Sequence, residues 1–293
     1  MSRAIAIASC RQLPDGDAED QLLVAALTEL GLTATVLAWT DEHVDWDAFD
    51  ATVIRSTWDY TLRRAEFLAW AERVPRLHNP AAVLRGNSDK GYLARLVAAG
   101  VPTVPTEFFP PGEPVRLPAG TEFVVKPAVG AGSIGAGRFA TGAESAALEH
   151  AEMLQALGRT VMVQPYLAEV DTAGETALIF LDGRYSHAIC KSAMLVPEAR
   201  HRLDAAELYL TETITARQPS AAEREVAERV HAVLAEEAGQ PLLYARIDLL
   251  PGPDGPLLLE AELIEPSLFL AYSAGAAERM AAAIAERIGA GCP

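Results

Sequence analysis

The sequence contains 293 residues, half of them apolar, so it can build a large core in two domains or in one elaborate α/β unit. Its 24 Lys and Arg against 40 Asp and Glu give a net charge of -16, which repels nucleic acid and anionic membrane surfaces. Cys10, Cys190 and Cys292 are odd in number and scattered, so they form neither a disulfide framework nor a zinc-ligand pattern. No apolar run resembles a signal peptide or reaches the roughly 20 residues of a spanning helix. We therefore expect a soluble cytoplasmic protein with reduced thiols.

The first part of the chain alternates between strand and helix patterns, which is typical of a parallel βαβ unit. The predicted elements are strands Ala4–Ser9, Thr33–Trp39 and Ala51–Arg55 and helices Ala18–Leu30 and Leu62–Val74. Ser56, Thr57 and Asp59 follow the third strand, at the edge where open α/β sheets bind ligands. They could hold a small polar substrate, and equally Thr57 or Asp59 could be the N-cap of the next helix.

Beyond this unit the pattern changes to strands separated by loops and a few helices. A capped helix is predicted from Asn87 to Ala99, where Gly100 and Pro102 stop it. A turn at Asp182-Gly183 predicts a β-hairpin, and a capping box at Ser220–Glu223 predicts a helix. The remaining predicted elements are strands Glu122–Lys126, Arg138–Thr141, Val161–Gln164, Thr176–Leu181 and Tyr185–Lys191 and helix Glu144–Leu157.

A second hairpin, near the C-terminus, carries acids on one face. If its turn centres on Asp254, Asp248 lies opposite Glu260 and Arg246 lies opposite Glu262. The alternating apolar positions, which form the opposite face, are Leu243, Ala245, Ile247, Leu249, Leu257, Leu259, Ala261 and Leu263. Three carboxylates beside one Arg and no Lys indicate that a cation is missing from the local sequence, and oxygen-liganded Mg²⁺ fits this role best.

A lysine and a glycine-rich loop follow one of the central strands. Lys126 ends the strand, and Gly130-Ala-Gly132-Ser133-Ile134-Gly135 contains a formal G-x-G-x-x-G, which would suggest a dinucleotide-binding dehydrogenase. That motif requires a helix at its third glycine, whereas here a short strand ending near Gly142 follows. Since backbone N–H groups of such a loop can bind phosphates, we interpret it as a flexible loop over a triphosphate. The alternative is a glycine-rich turn without a ligand.

The order of these features resembles the ATP-grasp fold of carboxylate-amine ligases over about residues 80 to 275. The resemblance implies an α/β and α+β architecture, in which an N-terminal parallel βαβ domain (1–79) precedes a two-subdomain ATP-grasp fold (80–167 and 168–293). It also implies a reaction in which ATP converts a carboxylate to an acyl phosphate and an amine then displaces phosphate.

The resemblance further implies the roles of individual residues. Phosphate contacts are Lys90, Lys126, Lys191, Gly132, Ser133, Ile134 and Gly135. Adenine contacts are Gln164, Pro165, Tyr166 and Leu167, and the ribose contact is Glu175. Two Mg²⁺ ions would be held by Asp248, Glu260 and Glu262, where the last ligand of the family is often Asn. Arg246, with Lys191, would act on the phosphorylated intermediate.

The segments Arg55–Tyr60 and Leu263–Phe269 resemble a narrower ATP-grasp group, which includes the cyclo-ligase that closes O-ureido-serine to cycloserine. This likeness implies an amino-acid-like substrate, with Ser56, Thr57, Asp59, Arg200, Arg202 and Ser267 as candidate contacts. An intermolecular amino acid or dipeptide ligase, and a non-catalytic ATP-binding sensor, are alternatives. His187, on a strand near the site, is either a site residue or structural, and a homodimer is expected from the family.

Overall fold

The computed structural model describes residues 3–193, Leu195 and residues 213–290. Its N-terminal sheet is parallel, with the strand order β2-β1-β3-β4. The parallel βαβ prediction is therefore confirmed, and a short fourth strand extends it. The elements of this unit are β1 (Ala4–Ser9), α1 (Ala18–Glu29), β2 (Thr33–Ala38), β3 (Ala51–Ile54), α2 (Arg64–Arg73) and β4 (Leu77–His78), with 3₁₀ turns at Trp46–Ala48 and Trp58–Leu62.

The segment after this sheet contains two short helices rather than one. α3 (Ala81–Asn87) ends where the sequence predicted a helix start, and α4 (Leu93–Ala98) begins after a 3₁₀ turn at Lys90–Tyr92. The reason is that the Asn87 amide is used in tertiary bonds to the backbone of Ala261 and Leu263. The cap of the following turn is Asp89, whose side chain accepts the Gly91 N–H at 2.9 Å.

The central sheet is antiparallel, with the order β5-β8-β6-β7. One helix, α5, packs on it over a core of phenylalanine, valine and alanine side chains. Its elements are β5 (Glu107–Phe109), β6 (Phe123–Pro127), β7 (Gly137–Phe139), α5 (Glu144–Ala156) and β8 (Val161–Pro165). The glycine-rich loop connects β6 to β7, as the sequence predicts.

The third sheet is antiparallel and has the order β11-β10-β9-β12-β13. The capping box at Ser220 and Glu223 is present, and Gly239 ends that helix in the left-handed conformation. The elements are α6 (Val170–Ala173), β9 (Glu175–Leu181), β10 (Arg184–Lys191), β11 (Ile214–Arg217), α7 (Ala221–Ala238), β12 (Tyr244–Gly252), β13 (Gly255–Glu262), a 3₁₀ turn at Leu270–Tyr272 and α8 (Ala276–Ala290).

The acidic hairpin has the predicted register at its functional end but not at its turn. Asp248 pairs with Glu260 and Arg246 with Glu262, whereas Leu249 pairs with Leu258, because a bulge interrupts the ladder. The two-residue turn thus lies between Gly252 and Gly255 rather than being centred on Asp254. As a result the prediction for the apolar face is wrong at two positions: Leu258 is buried in the core, whereas Leu259 lines a cleft and Leu257 pairs with Leu250, which lines the same cleft.

The first and third sheets share one core. Side chains of β1 and α1 pack with those of β9, β12 and α8, including Ile7, Leu23, Ile179 and Met280. The fully buried Asn79 also joins them, since its amide binds the backbone of Leu243, Tyr244 and Leu263. Within the described ranges, no helix combines the length and apolar character needed to cross a membrane. The division into units 1–79, 80–167 and 168–293 stays a prediction.

Candidate active site

Three carboxylates lie together at the end of the acidic hairpin. Oxygens of Asp248, Glu260 and Glu262 all fall within 4.8 Å of one another. Asp248, on β12, is fully buried, while Glu260 and Glu262, on β13, are partly exposed toward a cleft. The cross-strand pairing predicted from the sequence therefore creates a set of hard oxygen donors that could hold Mg²⁺.

Three cationic side chains surround these carboxylates, and two of them come from distant parts of the chain. The guanidinium of Arg246 donates to both oxygens of Asp248, at 2.9 and 2.8 Å, and to Glu262. Lys191 Nζ lies 2.9 Å from Asp248 Oδ2, and Lys90 Nζ lies 3.3 Å from Glu260 Oε2. Part of the positive charge that the hairpin alone lacks is thus supplied by β10 and by the turn before α4.

Burial nevertheless disfavours full ionisation of the acid cluster. Burial raises the pKa of Glu262 well above its usual value; Arg246 opposes this shift, but Glu260 and Asp248 add to it. Burial also acts to raise the pKa of Glu260, yet Lys90 and Lys126 outweigh it and lower that pKa. Because one carboxyl group of the set is disfavoured as an anion, a divalent cation fits this arrangement.

The glycine-rich loop lies directly beside the acids. Lys90 donates a hydrogen bond to the carbonyl oxygen of Gly130 at 2.8 Å, and both border a small cleft with Lys126 and Glu260. The other residues of this cleft are Pro127, Ala131, Gly132, Ser133, Ile134 and Ala136. Five of the predicted phosphate contacts, Lys90, Lys126, Gly132, Ser133 and Ile134, thus line one space with the predicted metal ligand Glu260, whereas Lys191 lines the larger cleft and Gly135 lines neither.

Lys126 differs from its neighbours because its ammonium group forms no ion pair with any residue in the described ranges. Burial lowers its pKa, against the attraction of Glu260. A half-buried ammonium group without an ion pair among the described residues is poorly stabilised in the unliganded fold, so its presence indicates an anionic ligand.

A larger cleft connects the connector after β8 to the acid cluster. Pro165, Tyr166 and Leu167 line one end, while Lys191 and Glu262 line the other. Apolar walls are provided by Val104, Val124, Ala136, Val170, Leu250 and Leu259. Gln164 also borders the cleft, although its amide donates to Thr106 Oγ1 at 2.8 Å. The predicted adenine and phosphate contacts therefore belong to one continuous space.

Glu175, predicted to bind a ribose, lines the larger cleft and is partly buried. Its carboxylate forms an ion pair with Lys191. Burial raises the pKa of Glu175 to about 7, with Lys191 lowering it and Asp248 raising it further. The geometry links Glu175 to the electrostatics of the acid cluster, and its ribose contact stays a prediction.

Two of the candidate substrate residues, Ser56 and Asp59, bind other side chains in this structure. Ser56 Oγ lies 2.9 Å from Ser9 Oγ and donates to Asp20, and Asp59 accepts from the Trp39 indole at 2.8 Å. Thr57 precedes the 3₁₀ turn without a side-chain cap bond, so the predicted capping by Thr57 or Asp59 is wrong. Ser267 contributes its carbonyl oxygen to Arg246 at 3.2 Å. Arg200 and Arg202 lie outside the described residues.

Glu265 is a site residue that the sequence analysis did not single out. Its side chain is buried, and burial raises its pKa to about 7, with Lys90 acting in the opposite direction. The Trp58 indole donates to the backbone oxygen of Glu265 at 3.1 Å, and burial and the Glu265 charge raise the pKa of Tyr60. The only signal in the sequence is its position three residues after the last predicted metal ligand.

Known proteins resemble this chain over nearly its whole length. The sequence profile of "D-cycloserine synthetase DcsG, N-terminal domain" matches residues 5–79. The cycloserine biosynthesis protein DcsG of Streptomyces lavendulae is 41% identical over 281 residues, which cover 91% of this chain and 92% of that protein. The crystal structure of D-cycloserine synthetase DcsG superimposes with a TM-score of 0.85 at 38% identity, covering 97% of this chain and 99% of that chain.

A more distant structure shows how widely the fold occurs. The D-alanine–D-alanine ligase of Bacillus anthracis, complexed with ATP, has a TM-score of 0.65 at 16% identity and covers 99% of this chain and 98% of its own. That likeness establishes the fold alone, whereas the 41% identity over nearly the whole chain establishes the family. The chain belongs to the D-cycloserine synthetase family and is an ATP-dependent carbon–nitrogen ligase with the ATP-grasp fold.

Proposed function

We propose that this enzyme closes O-ureido-D-serine to D-cycloserine. Attack of the substrate carboxylate on the γ-phosphorus of ATP gives an acyl phosphate and ADP. Attack of the oxygen-linked nitrogen on the acyl carbon then closes the ring and releases phosphate. One water molecule removes the carbamoyl group as carbon dioxide and ammonia. The observation that carries the proposal is a cleft in which the glycine-rich loop and three carboxylates meet Lys126, whose ammonium group has no ion pair among the described residues.

The residues of the cleft have distinct roles in this proposal. Lys90, Lys126 and the backbone of the glycine-rich loop hold the phosphates, and Pro165 to Leu167 contact the adenine ring. Two Mg²⁺ ions, held by Asp248, Glu260 and Glu262, would neutralise charge on the transferring phosphoryl group when bound. Arg246 stabilises the anionic oxygens that develop at the acyl carbon, because its guanidinium lies at the edge of the acid cluster.

The glycine-rich loop also protects the intermediate. An acyl phosphate hydrolyses readily, so a loop that closes over it increases the yield of product. Gly132, Ser133 and Gly135 have positive φ angles in this structure, a conformation in which glycine is far less strained than other residues. We place the enzyme in the cytoplasm, where ATP is abundant. That the enzyme forms a homodimer stays a prediction.

The proposal is tested by incubating the enzyme with ATP, Mg²⁺ and O-ureido-D-serine, with the L-enantiomer and pairs of amino acids in parallel. We expect ADP and phosphate to form in equal amounts with D-cycloserine, identified by mass spectrometry. ADP release only with pairs of amino acids would identify an intermolecular ligase instead. Release of AMP and pyrophosphate would contradict the acyl-phosphate route.

A further inference from the structure

A short loop after the acidic hairpin holds Arg246 in two ways. The carbonyl oxygen of Ser267 accepts a hydrogen bond from Arg246 Nη1 at 3.2 Å. The ring of Phe269 lies beneath the same guanidinium, with its centroid 5.6 Å from Arg246 Cζ. Beside the bonds of Arg246 to Asp248 and Glu262, the conformation of this loop therefore contributes to the orientation of the guanidinium toward the cleft.

The conformation of the loop is unusual. Phe269 has a φ of 52°, in the left-handed region that side chains other than glycine rarely adopt. Such a residue keeps this backbone conformation only when surrounding contacts enforce it. The relevant contacts come from an element far away in the sequence.

Glu19, near the start of α1, supplies them. Its Oε2 accepts the N–H of Leu268 at 2.8 Å, and its Oε1 accepts the N–H of Leu270 at 2.7 Å. These two groups flank Phe269, and N–H groups around a left-handed residue form a concave site for an anion. On the other side, His187 Nε2 donates to the carbonyl oxygen of Leu268 at 2.9 Å. The loop is thus held from both sides, by the N-terminal unit and by β10.

Glu19 is itself fixed in place. Arg55 Nη2, which is buried at the end of β3, lies 3.7 Å from Glu19 Oε2. Asp20, the next residue of α1, is fully buried beside the same guanidinium, with 3.5 Å between Asp20 Oδ1 and Arg55 Nε. The buried charges at the carboxyl edge of the N-terminal sheet therefore set the position of the Glu19 carboxylate.

We propose that Glu19 is a positioning residue for catalysis, which acts by binding the backbone on both sides of Phe269 and thereby orienting Arg246. This inference rests on the proposed function, because it presumes that Arg246 acts on the phosphorylated intermediate. It assigns to the N-terminal unit a direct part in forming the catalytic centre of the C-terminal sheet.

The test is a double-mutant cycle with Glu19→Gln and Arg246→Lys. A glutamine side chain can accept only one of the two N–H groups through its oxygen, so we expect kcat to fall about 10- to 100-fold, as when a supporting residue of a site is lost. The KM for ATP should stay within about twofold, because the loop does not contact the nucleotide cleft. If Glu19 acts through Arg246, the double variant should be no slower than Arg246→Lys alone.

Asp17→Asn is the matched control, since it removes the same charge two residues away on the same helix start. Asn remains a good N-cap, so its kcat should equal that of the unchanged protein. Glu19→Asp keeps both acceptor oxygens and should restore part of kcat; if Glu19→Gln fails to fold, Glu19→Asp takes its place in the cycle. If kcat of the double variant falls by the product of the two single-variant losses, the inference is overturned. An unimpaired Arg246→Lys would instead overturn the proposed role of Arg246, and the inference with it.

Discussion

At the scale of single residues, the acid cluster must be ionised to bind a metal, although its burial disfavours ionisation. Glu260 is one of the members that the fold keeps ionised, because Lys90 and Lys126 both lower its pKa against burial. It also borders the cleft of the predicted phosphate contacts and is itself one of the predicted metal ligands. Its charge, rather than its shape, is therefore the property that the site requires.

Glu260→Gln tests this statement with little change in volume. We expect turnover to fall at least about 100-fold, because a neutral amide binds Mg²⁺ poorly and leaves Lys90 without its partner. The thermal midpoint should change little, and an exposed Glu228→Gln variant provides the control. Full activity of Glu260→Gln, measured as ADP release, would show that the metal assignment is wrong.

Lys126 and Lys90 form a second matched pair. Lys126→Met should leave the free energy of unfolding of the unliganded protein within about 1 kcal/mol, or raise it, since it removes a half-buried charge that forms no ion pair in the described part of the chain. Lys90→Met should lower it by about 1 to 3 kcal/mol, because Lys90 bonds both Glu260 and Gly130. Denaturant unfolding measures both, and both variants should raise the KM for ATP. Equal destabilisation by the two changes would contradict the difference in pairing.

At the scale of elements, sequence alternation identified much of the site. It placed Asp248 opposite Glu260 and Arg246 opposite Glu262, and the register confirms this. Alternation could not reveal the bulge beside Leu259, because a bulge changes which face a residue occupies without changing composition. β5 was also missed, since a strand of three residues is defined by its pairing with β8 rather than by its own pattern.

The start of α7 offers an element-scale prediction. Ser220 accepts the Glu223 N–H, and Glu223 in turn accepts from Ser220 N–H and from Thr176. Ser220→Ala should lower the free energy of unfolding by about 1 kcal/mol, as the loss of an N-cap does. Ser220→Asp keeps an acceptor at this position and should restore most of that loss. An unchanged denaturation midpoint for Ser220→Ala would contradict the contribution of the cap.

At the scale of the whole molecule, stability should depend on pH through buried histidines. Burial, followed by the charge of Arg287, lowers the pKa of His78 to about 4, and burial also lowers the pKa of His187 and His231. In the unfolded chain these histidines bind protons near pH 6.5, whereas in the folded protein they bind protons only at lower pH. Stability is therefore complete above pH 6.5 and is lost as pH falls toward 4, by at most about 3 kcal/mol for His78.

Unfolding measured between pH 7 and pH 4 checks this prediction. His78→Gln should flatten the profile in that range, because a neutral side chain cannot take up the proton in the unfolded state. His43→Gln is the control, since the His43 side chain is exposed in the fold as in the unfolded chain. If the free energy of unfolding changes with pH equally in the unchanged protein and in His78→Gln, His78 is not the origin of the pH dependence.

The limits of sequence reasoning also lie at this scale. The family resemblance brought Lys90 and Lys126 to the acidic hairpin, which local patterns could not do. Glu265 and Glu19 were missed because their surroundings are assembled from three parts of the chain, and Glu19 bonds residues nearly 250 positions away. The Trp39 partner of Asp59 could not be identified from local patterns either, because Trp39 is held by its packing against Phe67 and Trp70 of α2.

The central claim is that the cleft activates a carboxylate by direct phosphorylation. The most direct measurement uses O-ureido-D-serine labelled with ¹⁸O in both carboxylate oxygens. If the carboxylate attacks the γ-phosphorus and nitrogen then breaks the acyl C–O bond, one labelled oxygen must leave with inorganic phosphate. We predict phosphate carrying one ¹⁸O atom for each D-cycloserine formed, as measured by mass spectrometry. Unlabelled phosphate, or label recovered in AMP, would contradict the account.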